Sequence, residues 1–128
     1  MLTNGFTCLY GRVNRKRFEQ EVDRVIESLP DWVLERVDNL VIVVKERPSA
    51  TQDPQGELLG IYEGVSLRDR SADYWGVGPD QITIFRQPHL ELGLDEGELS
   101  AEIRRTVLHE IGHYLGIDDA RLHELGWD

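Results

Sequence analysis

His109 and His113 stand four residues apart with a glutamate between them, in the segment His109-Glu110-Ile111-Gly112-His113. On an α-helix, side chains four apart lie one above the other, so the two imidazoles can converge on a single cation. Glu110 projects about 100° further round the helix, too far to act as an in-line third ligand but near enough to reach a water on that cation. Zinc lowers the pKa of a bound water to about 7, and a carboxylate at hydrogen-bond distance can take its proton and pass it to a leaving amine. The chemistry on offer is metal-assisted hydrolysis with Glu110 as general base. With ordinary residue frequencies, this five-residue pattern arises by chance about once in a few hundred chains of this size. Two ordinary surface histidines are therefore the weaker reading.

A catalytic zinc takes three protein ligands and keeps one position open. Asp118, Asp119, His123 and Glu124 follow the histidine pair. Gly116 can reverse the chain in a positive-φ conformation, and Asp119, ten residues after His109, is best placed to return to the ion. The same aspartate could instead cap the next helix, and Asp118, His123 and Glu124 are the alternatives. Zinc is the expected cofactor, although histidine and carboxylate donors also accept manganese, cobalt, nickel or iron.

The elements that must position these residues follow from periodicity. From Asn14, a good N-cap, Phe18, Val22, Val25, Ile26 and Leu29 recur at helical spacing until Pro30, and Asp31 to Val37 reads as one more short helix ended by Asn39. Leu40-Val41-Ile42-Val43-Val44 is a continuous, mostly β-branched run and reads as a central strand buried on both faces. Leu58 to Glu63 follows a loop rich in proline and polar residues and reads as a second strand. Gln81-Ile82-Thr83-Ile84-Phe85 alternates polar and apolar side chains, which predicts an edge strand, after a turn-rich Arg68 to Pro79. Leu90 to Gly97 reads as a loop, Glu98 to Leu115 as the long helix that carries the histidines, and Ala120 to Leu125 as a last short helix. Along the long helix, Ile103, Val107, Ile111 and Tyr114 lie roughly 120° to 160° from His109, so the packing face and the histidine face are separate. The order predicts an α+β fold, with helices on one side of a three- or four-stranded sheet.

Composition narrows the function. The chain has 128 residues, within the usual size of one domain, and its 24 acidic against 14 basic side chains give a net charge of -10. Phosphate binding needs a basic stripe, and Arg15-Lys16-Arg17 beside Glu19 and Glu21 reads as a solvated face, so no nucleic-acid partner is expected. The single cysteine, Cys8, excludes an intrachain disulfide and is assigned no role. Met1 to Phe6 lacks the pattern of a secretory signal and no apolar run is long enough to span a bilayer, so a soluble, cytoplasmic protein without a membrane partner is expected. His89, after Pro88, reads as a solvated loop histidine; Tyr74 and Trp75 read as core or rim packing rather than a substrate cleft, and Trp127 as a cover for the core.

The run from His109 through Gly116 to Asp119 resembles the extended H-E-x-x-H-x-x-G-x-x-H/D signature of metzincin-like peptidases, in the aspartate form seen in snapalysins. More closely, the chain resembles the bacterial minimal zincin-like metallopeptidases. The likeness includes Phe18 in a first helix ending at Leu29-Pro30, the Leu40 to Val44 strand, Leu59 to Gly64, Ile82 to Phe85, Arg104 to Leu108 before the motif and Arg121 to Trp127 after it, roughly residues 14 to 127. The resemblance implies a compact zincin-like fold, a zinc site of His109, His113 and Asp119, Glu110 as catalytic base, and a peptide or protein substrate. It departs from the metzincins in lacking their methionine turn, since the one methionine is Met1. Two rival readings are a non-catalytic metal-binding or partner-binding domain and a metal-dependent endoribonuclease. The ribosomal-RNA-maturing endoribonucleases of bacteria have histidines at the same offsets, but glycine in place of Glu110 and histidine in place of Asp119, and an acidic surface does not suit RNA. For a peptidase, the substrate strand is expected to pair with a sheet edge, for which Ile82 to Phe85 is the candidate.

Overall fold

Asn14 opens helix α1 (Arg15–Glu27) by accepting the Arg17 amide on its side chain at 2.9 Å, which satisfies one of the donors a helix start leaves unpaired. Phe18, Val22 and Val25 are buried along one face of α1, as their spacing predicts. Pro30 then precedes helix α2 (Asp31–Arg36), and Asn39 takes a positive φ of 58° before the first strand. The computed structural model describes residues 14–74 and 78–128, so Cys8 and Trp75 lie outside the described residues.

Strands β1 (Leu40–Lys45), β2 (Gly60–Glu63) and β3 (Asp80–Phe85) form a mixed sheet in the order β1-β3-β2, with β3 parallel to β1 and antiparallel to β2. The expected strand order is corrected in two places. Ile82 to Phe85 is not an edge but lies between the other two strands, and among the described residues the Leu40 to Val44 run is not central but an edge whose Val41 is 39% exposed. The polar residues of β3 misled because their polarity is satisfied within the strand: the Gln81 side-chain amide donates to Thr83 Oγ1 at 2.9 Å, and Thr83 is buried. Alternation therefore did not mean solvent on one face.

Helix α3 (Arg86–Leu90) continues directly from β3 and buries His89, which corrects the solvated-loop reading. Its Nδ1 lies 2.7 Å from the Phe85 carbonyl and its Nε2 3.0 Å from Thr106 Oγ1, so both ring nitrogens have partners inside the protein. Helix α4 (Glu96–Leu115) starts two residues before the expected Glu98, because Asp95 and Glu98 form a capping box. Its Ile103, Val107 and Ile111 join Phe18, Val22, Ile82 and Ile84 in one core cluster, with α4 packed on β2 and β3 and α1 packed on α4. Helix α5 (Asp119–Leu125) is the last of the described elements. The architecture is the α+β class expected, with a three-stranded mixed sheet and five α-helices among the described residues.

Candidate metal centre

Helix α4 ends where a glycine must be: Gly116 adopts φ 83°, its amide donates to the His113 carbonyl, and the Ile117 amide donates to the Gly112 carbonyl. The last two turns before that stop carry the site. Ile111 and Tyr114 point into the core, while His109 and His113 share the other face with ring centroids 4.5 Å apart and planes at 70°. A nitrogen of each imidazole and a carboxylate oxygen of Glu110 lie within 4.8 Å of one another.

Glu110 is buried to 7% exposure, and β2 makes that possible. A Cβ at Gly60 would stand 2.7 Å from Thr106 Cγ2 and 3.5 Å from Glu110 Cγ, so only a residue without a side chain lets α4 lie this close to the strand. The carboxylate is thus held against the sheet beside the histidines.

The hydrogen bonds assign the histidine tautomers. His109 Nδ1 is 3.0 Å from the Trp127 carbonyl oxygen, which can only accept, so this nitrogen carries the proton. His113 Nδ1 is 3.2 Å from Glu110 Oε1, and an ionised carboxylate likewise only accepts. With the proton on Nδ1, the neutral form of either ring would present a lone pair on Nε2, the form in which histidine ligates a metal. The donor set fits zinc on that ground.

Asp119 is the first residue of α5, and its Oδ1 lies 3.9 Å from His113 Nε2 with the side chain 96% exposed. It stands outside the tight His109, Glu110 and His113 cluster. Of the two histidines it is His113 that Asp119 faces, so a third-ligand role would need its exposed side chain to move in toward the pair. The capping role weighed for Asp119 falls on Asp118 instead, whose side chain accepts the Arg121 amide at 2.8 Å. His123 is bonded to Asp128 at 2.7 Å and Glu124 to Arg121 at 3.2 Å, both at the surface.

A cavity of about 430 Å³ opens next to His113 and is lined by Tyr62, Ser66, Arg68, Asp69 and Ile117 among others. Sequence reasoning singled out none of these as site residues, because most come from β2 and the following turn and meet α4 only in the fold. The wall behind Tyr62 is a buried polar cluster. Tyr62 donates to Asp80 at 2.5 Å, Arg70 donates to the same carboxylate at 3.1 Å and to the Asp38 carbonyl at 3.1 Å, and Arg70 stacks 4.0 Å over Tyr74. Burial, reinforced by the Asp80 carboxylate, pushes the Tyr62 phenol well above its ordinary pKa, so it stays a hydrogen-bond donor. Tyr74 also accepts from Asn39 at 2.8 Å, in keeping with a packing role. Trp127 is 7% exposed and belongs to the core cluster, as expected of a core cover.

A histidine pair on one helical face with the intervening glutamate beside it, backed by a mixed sheet, defines a metal-site protein of the zincin class. The family described as zincin-like metallopeptidase matches residues 37–127, and the chain belongs to that family. No protein of curated function matches the chain. Among solved structures, a conserved hypothetical protein from Thermus thermophilus is similar in fold, with a TM-score of 0.53 and 20% identity, covering 90% of this chain and 100% of that one.

Proposed function

We propose that the protein is a zinc-dependent metallopeptidase in which His109, His113 and Asp119 hold the ion and Glu110 is the general base. The observation that carries the reading is the convergence of a nitrogen from each imidazole and an oxygen of the buried Glu110 carboxylate within 4.8 Å of one another. When bound, zinc supplies Lewis-acid polarisation of a carbonyl and acidifies water into the neutral range. Glu110 then accepts a proton on its carboxylate and returns it to the leaving amine, and its burial against Gly60 keeps it in one place for both transfers. His113, bonded to Glu110, limits the rotation of that carboxylate.

The substrate surface is β2 rather than the strand the sequence suggested. Among the described residues β2 is a sheet edge, it packs on α4, and Tyr62 and Gly64 line the cavity beside His113. An extended peptide adding to that edge would bring its carbonyls past the histidines. The decisive experiment combines zinc analysis with cleavage of a peptide library by the parent and by Glu110→Gln. Expected are one zinc in both proteins and cleavage in the parent alone. Zinc without cleavage in the parent would favour a non-catalytic metal-binding role, and equal cleavage by both would remove Glu110 as base.

A further inference from the structure

Helix α5 touches the metal helix at both ends and in the middle. Leu122 is fully buried, and its Cδ2 occupies the space that a Cβ of Gly112 would need, so the helix sits on the bare backbone between the two histidines. At its start, Asp119 faces His113. At its end, Gly126 turns the chain with φ 76°, the Trp127 amide donates to the Leu122 carbonyl at 2.9 Å, and the Trp127 carbonyl receives the His109 Nδ1 proton at 3.0 Å. The Trp127 indole in turn stacks on Trp32 of α2, with centroids 5.7 Å apart and planes at 11°.

We infer that Trp127 and Trp32 are positioning residues for the metal site: the backbone carbonyl of Trp127 fixes the tautomer and ring orientation of His109, and the stack on Trp32 fixes that carbonyl. The inference rests on the zinc reading of the site. A carbonyl on the far nitrogen of a ligating histidine holds the ring in its ligating form and raises its basicity, and loss of such a partner commonly weakens metal binding about 10- to 100-fold. Here the partner is a backbone atom, so no substitution removes it directly. Its placement depends on an aromatic contact with a residue of α2, far away in sequence. Trp32 is 41% exposed and outside the buried core cluster, so its removal perturbs the fold less than loss of a fully buried ring, and the accompanying loss of packing is controlled for separately.

The test uses the full chain and zinc as the probe. Trp32→Ala is expected to weaken zinc binding about tenfold in competition with a chelator. In the metal-free protein, nitrogen NMR of the imidazoles should show His109 protonated on Nδ1 in the parent and shifted toward Nε2–H in Trp32→Ala. Trp32→Phe, which keeps a stacking face, should restore both readouts. Val22→Ala, a core change in α1, should lower stability while leaving zinc affinity and the His109 tautomer as in the parent. Parent-like affinity and tautomer in Trp32→Ala, or an equal loss in Val22→Ala, would overturn the positioning role and leave the metal site standing. A parent that binds no zinc would overturn the metal reading and this inference together.

Discussion

The two imidazoles of the site are held by unlike partners: His109 donates to a backbone carbonyl from the end of the chain, His113 to the carboxylate expected to act as base. Neither ring packs into the core, whose α4 contribution comes from Leu99, Ile103, Val107, Leu108, Ile111 and Tyr114. His109→Ala and His113→Ala are therefore each expected to abolish stoichiometric zinc binding, measured by metal analysis, while the far-UV circular dichroism of the parent is retained. Full zinc content in either variant would sink the assignment. The aspartates separate in the opposite sense. Asp118 caps α5, so Asp118→Ala should cost about 1 kcal/mol of stability and leave zinc affinity nearly unchanged. Asp119 is 96% exposed, so Asp119→Ala should stay within about 0.5 kcal/mol of parent stability yet weaken zinc binding strongly. A reversed ranking in denaturation and chelator-competition measurements would exclude Asp119 as third ligand. His109, Glu110 and His113 were legible in the sequence because helical geometry alone brings them together. The Trp127 carbonyl was not, since a backbone atom eighteen residues further on leaves no mark of side-chain type.

At the scale of elements, the long helices α1 and α4 were the readable part, while the short α3 after β3 was not. Asn14 and Gly116 mark ends that the structure places within a residue of expectation, and the apolar stripes of α1 and α4 are buried as their periods predict. Strand order was not readable. The β-branched run of β1 suits a doubly buried strand, but among the described residues it lies at an edge, while the hydrogen-bonded Gln81 and Thr83 hide the central place of β3. Local patterns report how a strand prefers to be covered, and the pairing that covers it is a property of the whole sheet. The contact of α5 with α4 is a case in which one glycine governs an interface. Gly112 lies inside a helix, where alanine is favoured by roughly 1 kcal/mol, but a Cβ there would overlap Leu122 Cδ2. Gly112→Ala is expected to destabilise the parent, as overpacking usually does by about 1 to 3 kcal/mol less the helix gain. In a Leu122→Ala background the clash is gone, and the same substitution should become stabilising by up to about 1 kcal/mol. Urea denaturation of the four proteins gives the cycle, and an unchanged sign would mean that the two residues do not oppose each other.

For the molecule as a whole, acid stability follows from one buried histidine and one paired, part-exposed glutamate. His89 is sealed between β3, α3 and α4 with its ring nitrogens on the Phe85 carbonyl and Thr106. Burial holds its pKa below the ordinary value of 6.5, against the opposing pull of the Phe85 carbonyl and the Glu102 charge. As pH falls below 6.5, His89 of the unfolded chain takes up a proton while the folded one resists, so stability present above 6.5 is lost as pH drops toward the depressed folded value. Glu46 acts lower on the scale. Its bond to the Arg86 guanidinium, with help from Gln87, holds it at about 2 against an ordinary 4.5, so its contribution is present above 4.5 and lost as pH falls through about 2. The two windows do not overlap at their upper ends, and that makes them separable. Urea midpoints measured with a chelator present at about pH 7.5 and about pH 5.5 should fall in the parent and fall less in His89→Gln, whose amide can still donate to Phe85 but takes up no proton. Below about pH 4 both proteins should lose stability together, because Glu46 and Arg86 are intact in each. An equal drop in parent and variant between the first two conditions would show that His89 is not the group that senses mild acid.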